Sequence, residues 1–154
     1  MKRILLYVAA LALLVLGGQG TDIGRLRPVE LVQVMEQNGL LILETDTGDR
    51  GWGLTVDQAV GKLKETTPGL IYLDTADYLL LEEGMEKYLP QLRKHLKKGT
   101  EMAYAPKGID LIEVVEYLSV HKPSRTIGKW EKPAERLFME GGKINLKNFE
   151  EIKK

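Results

Sequence analysis

The stretch VELVQVMEQNGLLILETD, residues 29–46, decides the architecture. Val29–Met35 is rich in Val and Leu and reads as a strand, and Leu40–Asp46 reads as a second. Between them stands Asn38-Gly39. That pair is preferred in a two-residue type I′ turn, because both central positions need positive φ. The chain therefore opens its folded part with a β-hairpin, and the following elements have to pack onto it.

Outward toward the C-terminus, Thr47–Gly53 contains three glycines and reads as a loop. Thr55 follows as a helix cap, with Gln58 placed as its capping-box partner. Val56, Ala59, Val60 and Leu63 recur at helical spacing and define one buried face. Pro68-Gly69 ends this unit. Leu70–Leu73 is a strand, and Tyr78–Leu81 either continues it or forms a second short one. Met85, Tyr88, Leu89, Leu92 and Leu96 make another helical stripe. Pro90 falls inside it, so a kink or restart is expected with Pro90 in a first turn. Lys97-Lys98-Gly99 reads as the C-terminal stop. Glu101–Ala105 is a short strand, and Asp110 with Glu113 caps a helix whose Leu111, Val114, Val115 and Leu118 face inward. The order is β-β-α-β-α-β-α. Helical crossovers after a hairpin imply a small mixed sheet with packed helices, of class α/β, with α+β also compatible.

Outward toward the N-terminus, Lys2 and Arg3 precede an unbroken apolar run, Ile4–Leu16, and then Gly17-Gly18-Gln19-Gly20. Charged start, apolar middle and small residues are the parts of an export signal. A run of about 13 residues reaches only about 20 Å as a helix, whereas a hydrocarbon core of about 30 Å asks for about 20 residues. Residues 1–20 are thus a signal peptide or a short membrane anchor, and 21–28 a linker. Residues 29–121 form a single domain and 122–154 a basic tail, weakly structured or a short helix. The expected location is outside the cytoplasm, exported or anchored at the outer face of the membrane. The chain has no Cys, which removes disulfides, thiolate metal sites and acylation through a leader cysteine.

Charge is balanced overall but unevenly spread. Val29–His121 carries sixteen acidic against nine basic residues, a net of −7, and residues 122–154 carry nine basic against five acidic, a net of +4. An acidic body without a basic–aromatic stripe argues against nucleic acid as a partner. The basic tail could meet an anionic surface, although such charges commonly only solvate a chain.

Candidate chemistry is sparse. Gly48-Asp49-Arg50-Gly51-Trp52-Gly53 opens onto a helix N-terminus, which attracts anions, but it lacks the Lys-Ser/Thr of a P-loop and the dinucleotide spacing. Asp46 and Asp49 lack the alternate acidic ligands and closing Glu of an EF-hand. His95 and His121 lie near helix ends, where a cation suits the dipole, and form no H-x-x-x-H pair. Asp74 and Asp77 stand near Glu82 and Glu83, a carboxylate group that acid–base chemistry could use only with shifted pKa values. No catalytic, cofactor-binding or metal-ligating residues are expected, and no cofactor.

Gly51-Trp52-Gly53-Leu54-Thr55-Val56-Asp57-Gln58-Ala59 resembles the G-x-G-x-T-x-x-x-A stretch of Ger(x)C-type spore germination proteins. Leu79-Leu80-Leu81-Glu82-Glu83-Gly84-Met85 is similar to the family's apolar run, acidic residue and Gly before a helix. Leu92-Arg93 and Met102–Gly108 resemble its helix, Arg and following short strand. The likeness spans Val29 to about Leu118, the N-terminal domain of such proteins. Family members are lipoproteins attached through a cysteine, where this chain has Gly and Gln, and they carry further C-terminal domains. The resemblance implies a non-acylated relative without enzymatic chemistry, and carries over no functional residues. The expected function is a non-enzymatic accessory or interaction domain linked to sporulation or germination, with a membrane-protein partner and the oligomeric state left open. The rival is a small extracytoplasmic ligand-binding protein or enzyme that uses the Gly48–Gly53 loop.

Overall fold

The hairpin expected from Asn38-Gly39 forms: the two residues have φ of 54° and 77° and join strands β2 (Leu31–Gln37) and β3 (Leu40–Thr45). The structure, a computed structural model, describes residues 26–129 and 131–152. The leader and most of the linker lie outside the described residues. Strand β1 (Leu26–Pro28) precedes the hairpin, and β4 (Arg50–Gly53) follows it as an antiparallel neighbour of β3.

Helix α1 (Val56–Thr66) starts where its cap predicts. The Thr55 side chain accepts from the Gln58 amide at 3.2 Å, while Gln58 Oε1 accepts from the Leu54 amide at 2.9 Å. Two amides of the first turn region are thereby satisfied within the chain. The two apolar runs after Pro68 are separate strands in different sheets. β5 (Leu70–Tyr72) pairs in parallel with β1, and β6 (Tyr78–Leu81) enters the main sheet beside β2. Thr75 links the sheets, its hydroxyl donating to the Val29 carbonyl and accepting the Val29 amide.

The expected helix around Pro90 divides. A 3-10 turn over Met85–Tyr88 leads into the short α2 (Leu89–Leu92), with Pro90 in its first turn, where the missing amide costs nothing. The chain then turns before Lys97, so Gly99 is not the left-handed terminator of a long helix. β7 (Glu101–Tyr104) pairs in parallel with β6. Helix α3 (Leu111–Val120) is capped by Asp110, whose carboxylate accepts from the Ile112 and Glu113 amides.

The described part of residues 122–154, expected to be weakly structured or a short helix, forms three strands and ends in one helical turn. β8 (Arg125–Thr126) covers the start of β7, and β9 (Glu135–Glu140) with β10 (Lys143–Asn148) forms a hairpin, followed by the one-turn α4 (Phe149–Ile152). The physical reason is Gly141-Gly142, with φ of 58° and 75°, a two-residue turn flanked by Leu137 and Ile144, which are buried on the sheet. The linker reading also shifts, since Leu26–Pro28 is strand.

The main sheet runs β10-β9-β7-β6-β2-β3-β4, with β8 beside β7. Its central strands β2, β6 and β7 are covered on both faces. Val32, Val34, Leu79, Leu81, Met102 and Tyr104 face α1 and α2, whereas Leu31, Tyr78, Leu80 and Ala103 face α3, Leu137 and Ile144. Burial on both sides makes β6 a continuous apolar run rather than an alternating one. The class is mixed α/β. No described helix is long and apolar enough to cross a membrane.

Candidate functional site

The Gly48–Gly53 segment turns out to be built for packing. Gly48, with φ of 81°, closes a turn in which its amide reaches the Thr45 carbonyl at 2.9 Å. Residues 50–53 are strand β4, pressed onto α1. A Cβ at Gly51 would lie 2.1 Å from the Ala59 carbonyl oxygen and 2.6 Å from Leu63 Cβ; one at Gly53 would lie 2.5 Å from Gln58 Cβ. The glycines let strand and helix backbones approach. Trp52, between Gly51 and Gly53, is 41% exposed, with the ammonium of Lys62 of α1 5.5 Å from its ring.

The polar residues of this region also serve the fold. Asp46 accepts the Glu30 and Leu31 amides at 3.1 and 3.0 Å, tying the turn to the start of β2. Asp49 accepts from Arg27 at 3.2 Å and from the Thr47 hydroxyl at 2.7 Å, and Arg50 pairs with Glu44 at 2.8 Å. With Asp46 and Asp49 holding amides, a hydroxyl and a guanidinium, no open ligand set remains between them.

The two histidines sit apart. His95 meets Asp57 at 2.8 Å, joining the turn after α2 to the start of α1. His121 is the residue that ends α3 and stacks on Tyr117, ring centres 4.3 Å apart. The four carboxylates do not converge. Asp77 pairs with Lys97 at one end of β6, while Glu82 and Glu83 pair with Lys107 and Arg136 at the other, so the strand itself separates them. Among the described residues no group of three His, Cys, Asp or Glu could hold a metal ion.

A concavity that the sequence does not disclose opens beyond the C-terminal ends of β6 and β7. Ligands in open α/β sheets gather outside such strand ends. Its volume is about 720 Å³, and its polar centre is the Tyr104 hydroxyl donating to Glu86 at 2.5 Å. Phe149 packs on Tyr104 with ring centres 4.6 Å apart, and Arg136 lies over the Phe149 ring while pairing with Glu83 at 3.3 Å. Burial pushes the Tyr104 phenol well above its usual range, and the adjoining Glu86 carboxylate pushes it further. Burial also pushes Glu86 upward, but the Tyr104 hydroxyl, backbone amides and Lys132 outweigh it and leave the carboxyl below its ordinary value. Tyr104 is therefore a protonated donor and Glu86 an ionised acceptor. This pair could orient a polar ligand; Tyr104 is poorly placed to give up its proton as an acid.

At the opposite end of β7, Glu101 Oε2 is buried with no hydrogen-bond donor among the described residues. Burial raises this carboxyl above the ordinary range; Lys122 opposes the shift and Asp77 adds to it. The folded state thus favours the proton more than the unfolded chain does. The associated stability is full below the unfolded pKa of about 4.3 and is lost as pH rises through the folded value. Glu101→Gln should raise the urea midpoint at pH 7, with the gain shrinking as pH falls toward 4. A gain that stays constant across that range would contradict this account of Glu101.

No protein-family model, curated protein or solved structure matches the chain.

Proposed function

We propose that the chain is a non-enzymatic accessory domain held outside the cytoplasm, exported or anchored at the outer membrane face, which works by binding a membrane protein during sporulation or germination. The observation that carries the non-enzymatic part is the use of the Gly48–Gly53 segment. Its glycines admit α1 and its carboxylates hold backbone and Arg27, so the one phosphate-like loop of the sequence serves packing. The location rests on the Lys2–Gly20 leader pattern. The process rests on the resemblance of Gly51–Ala59 and Leu79–Met85 to Ger(x)C-type proteins. A deletion strain should sporulate or germinate abnormally, and the tagged chain should recover a membrane protein. Normal spores together with an empty pulldown would end this reading.

The leader carries its own prediction. As a signal peptide it gives a mature chain starting at or near Gln19, in the exported fraction. Intact mass that retains Met1, in membranes that resist salt washing, would instead establish an anchor with Lys2 and Arg3 on the cytoplasmic side.

A second reading, a small-ligand receptor, is favoured by the Tyr104–Glu86 pair in its concavity rather than by the Gly48–Gly53 loop. Thermal-shift screening with polar metabolites would support it if a ligand raised the melting point of the native chain but not of Tyr104→Phe.

A further inference from the structure

We propose that the free edge of β5 accepts an extended, carboxylate-bearing segment of a partner protein as an added strand. The inference rests on the interaction-domain reading and names its contact surface. β5 pairs with β1 along one edge, and no strand lies against the other among the described residues. Such an edge presents unpaired backbone amides and carbonyls. A groove of about 460 Å³ runs along it, and the six consecutive residues Gly69–Asp74 line one side. Of these, Leu70–Tyr72 are extended before the chain turns into a 3-10 helix over Leu73–Thr75, so three residues offer a backbone edge to a strand laid beside them, the geometry of strand addition. The side chains alternate accordingly: Leu70 and Tyr72 are 44% and 41% exposed, while Ile71 between them is buried.

The facing wall supplies the charge preference. Lys64 of α1 and Lys94 line the groove, and neither has an ion-pair partner among the described residues. His95, also in the wall, is already engaged with Asp57. Asp74 at one end is the single carboxylate of the lining. Two unpaired ammonium groups against one carboxylate favour an acidic segment. The edges of the main sheet offer less. A threonine hydroxyl occupies one carbonyl on β4 as on β5 (Thr66 on Arg50 at 3.0 Å, Thr75 on Tyr72 at 2.7 Å), but β4 has no matching pair of unpaired lysines among the described residues. β10 carries Lys143 and Lys147 on the strand itself, charges that commonly protect an edge.

The test uses fluorescence anisotropy with the native chain and short synthetic peptides of alternating threonine and glutamate, or threonine and lysine. The glutamate peptide should bind about tenfold more tightly, as two exposed charge pairs allow. N-methylation of alternate backbone nitrogens should abolish binding, and a Lys64→Glu/Lys94→Glu double variant should reverse the preference while melting like the native chain. Equal binding of both peptides, binding that survives N-methylation, or no binding would overturn the proposal. So would a native dimer in sedimentation that the double variant dissociates, since a second copy would then occupy the edge. If the peptides fail while cross-linking in cells still joins the chain to a membrane protein, the edge is wrong and the domain reading stands. If both fail, both fall.

Discussion

Gly51→Val is expected to leave little or no cooperatively folded protein. The added Cβ would meet the Ala59 carbonyl oxygen at 2.1 Å and the Leu63 amide nitrogen at 2.6 Å, both main-chain atoms that no side-chain rotation can move. Overpacking in a core usually costs about 1–3 kcal/mol because side chains give way. Here β4 and α1 must separate, which would also expose Leu41, Val56 and Leu63. The cost should exceed that range and approach the total stability of about 5–15 kcal/mol typical of a domain. Gly61 provides the control, since a Cβ there meets nothing within 4 Å on the exposed side of α1. Gly61→Ala should stabilise by about 0.5–1 kcal/mol through helix propensity. Far-ultraviolet circular dichroism with thermal melting reads both. A Gly51→Val protein that melts like the native chain would show that β4 does not lie against α1.

Leu63→Ala should have the second largest effect. Leu63 is fully buried beneath β4 and belongs to the larger core cluster. Removing such a side chain costs about 2–5 kcal/mol, depending on how far the cavity collapses. For a domain of this size the melting temperature should fall by about 10 °C. His95→Ala removes a hydrogen bond to Asp57, whose side chain is 68% exposed, so that contact contributes within about 1 kcal/mol and the loss should stay well below that of Leu63→Ala. Equal melting of Leu63→Ala and the native chain would mean that the Val56–Leu63 face is exposed, and that stripe would become the candidate partner surface.

The parts of the fold legible in the sequence are those where a local rule and the tertiary fold agree. Asn38-Gly39 specifies a turn whatever surrounds it, and Thr55 and Asp110 cap their helices through their own side chains. β4 was illegible because glycine is a poor strand residue. Gly51 and Gly53 are there for the helix that crosses them, which a local reading of Thr47–Gly53 as a loop misses. The β9–β10 hairpin is hidden in the sequence although Gly141-Gly142 marks its turn, because Lys, Pro and Gly scattered after Pro123 obscure the alternation around Leu137 and Ile144. Leu26–Pro28 is too short to show a period and becomes strand only through β5.

The candidate surfaces were less legible than the fold. The concavity beyond β6 and β7 needs Glu86, Tyr104 and Phe149, which come from three separated segments and meet only through parallel pairing and the return of the C-terminal hairpin. The β5 groove needs the knowledge that β5 leaves the main sheet, which an apolar run reading Leu-Ile-Tyr-Leu does not carry. Conversely, the sequence leaves the Gly48–Gly53 loop open to the rival ligand reading because glycine before a helix serves phosphate binding and close packing alike. Only the position of α1 tells the two apart.

The most direct test of the central claim is cross-linking on intact cells with an amine-reactive reagent that cannot cross the membrane, followed by mass spectrometry of the purified chain. The account predicts that exposed lysines such as Lys64 and Lys94 are labelled, and that the chain is joined to an integral membrane protein. A chain that stays unlabelled until the cells are broken would place it inside and contradict the account.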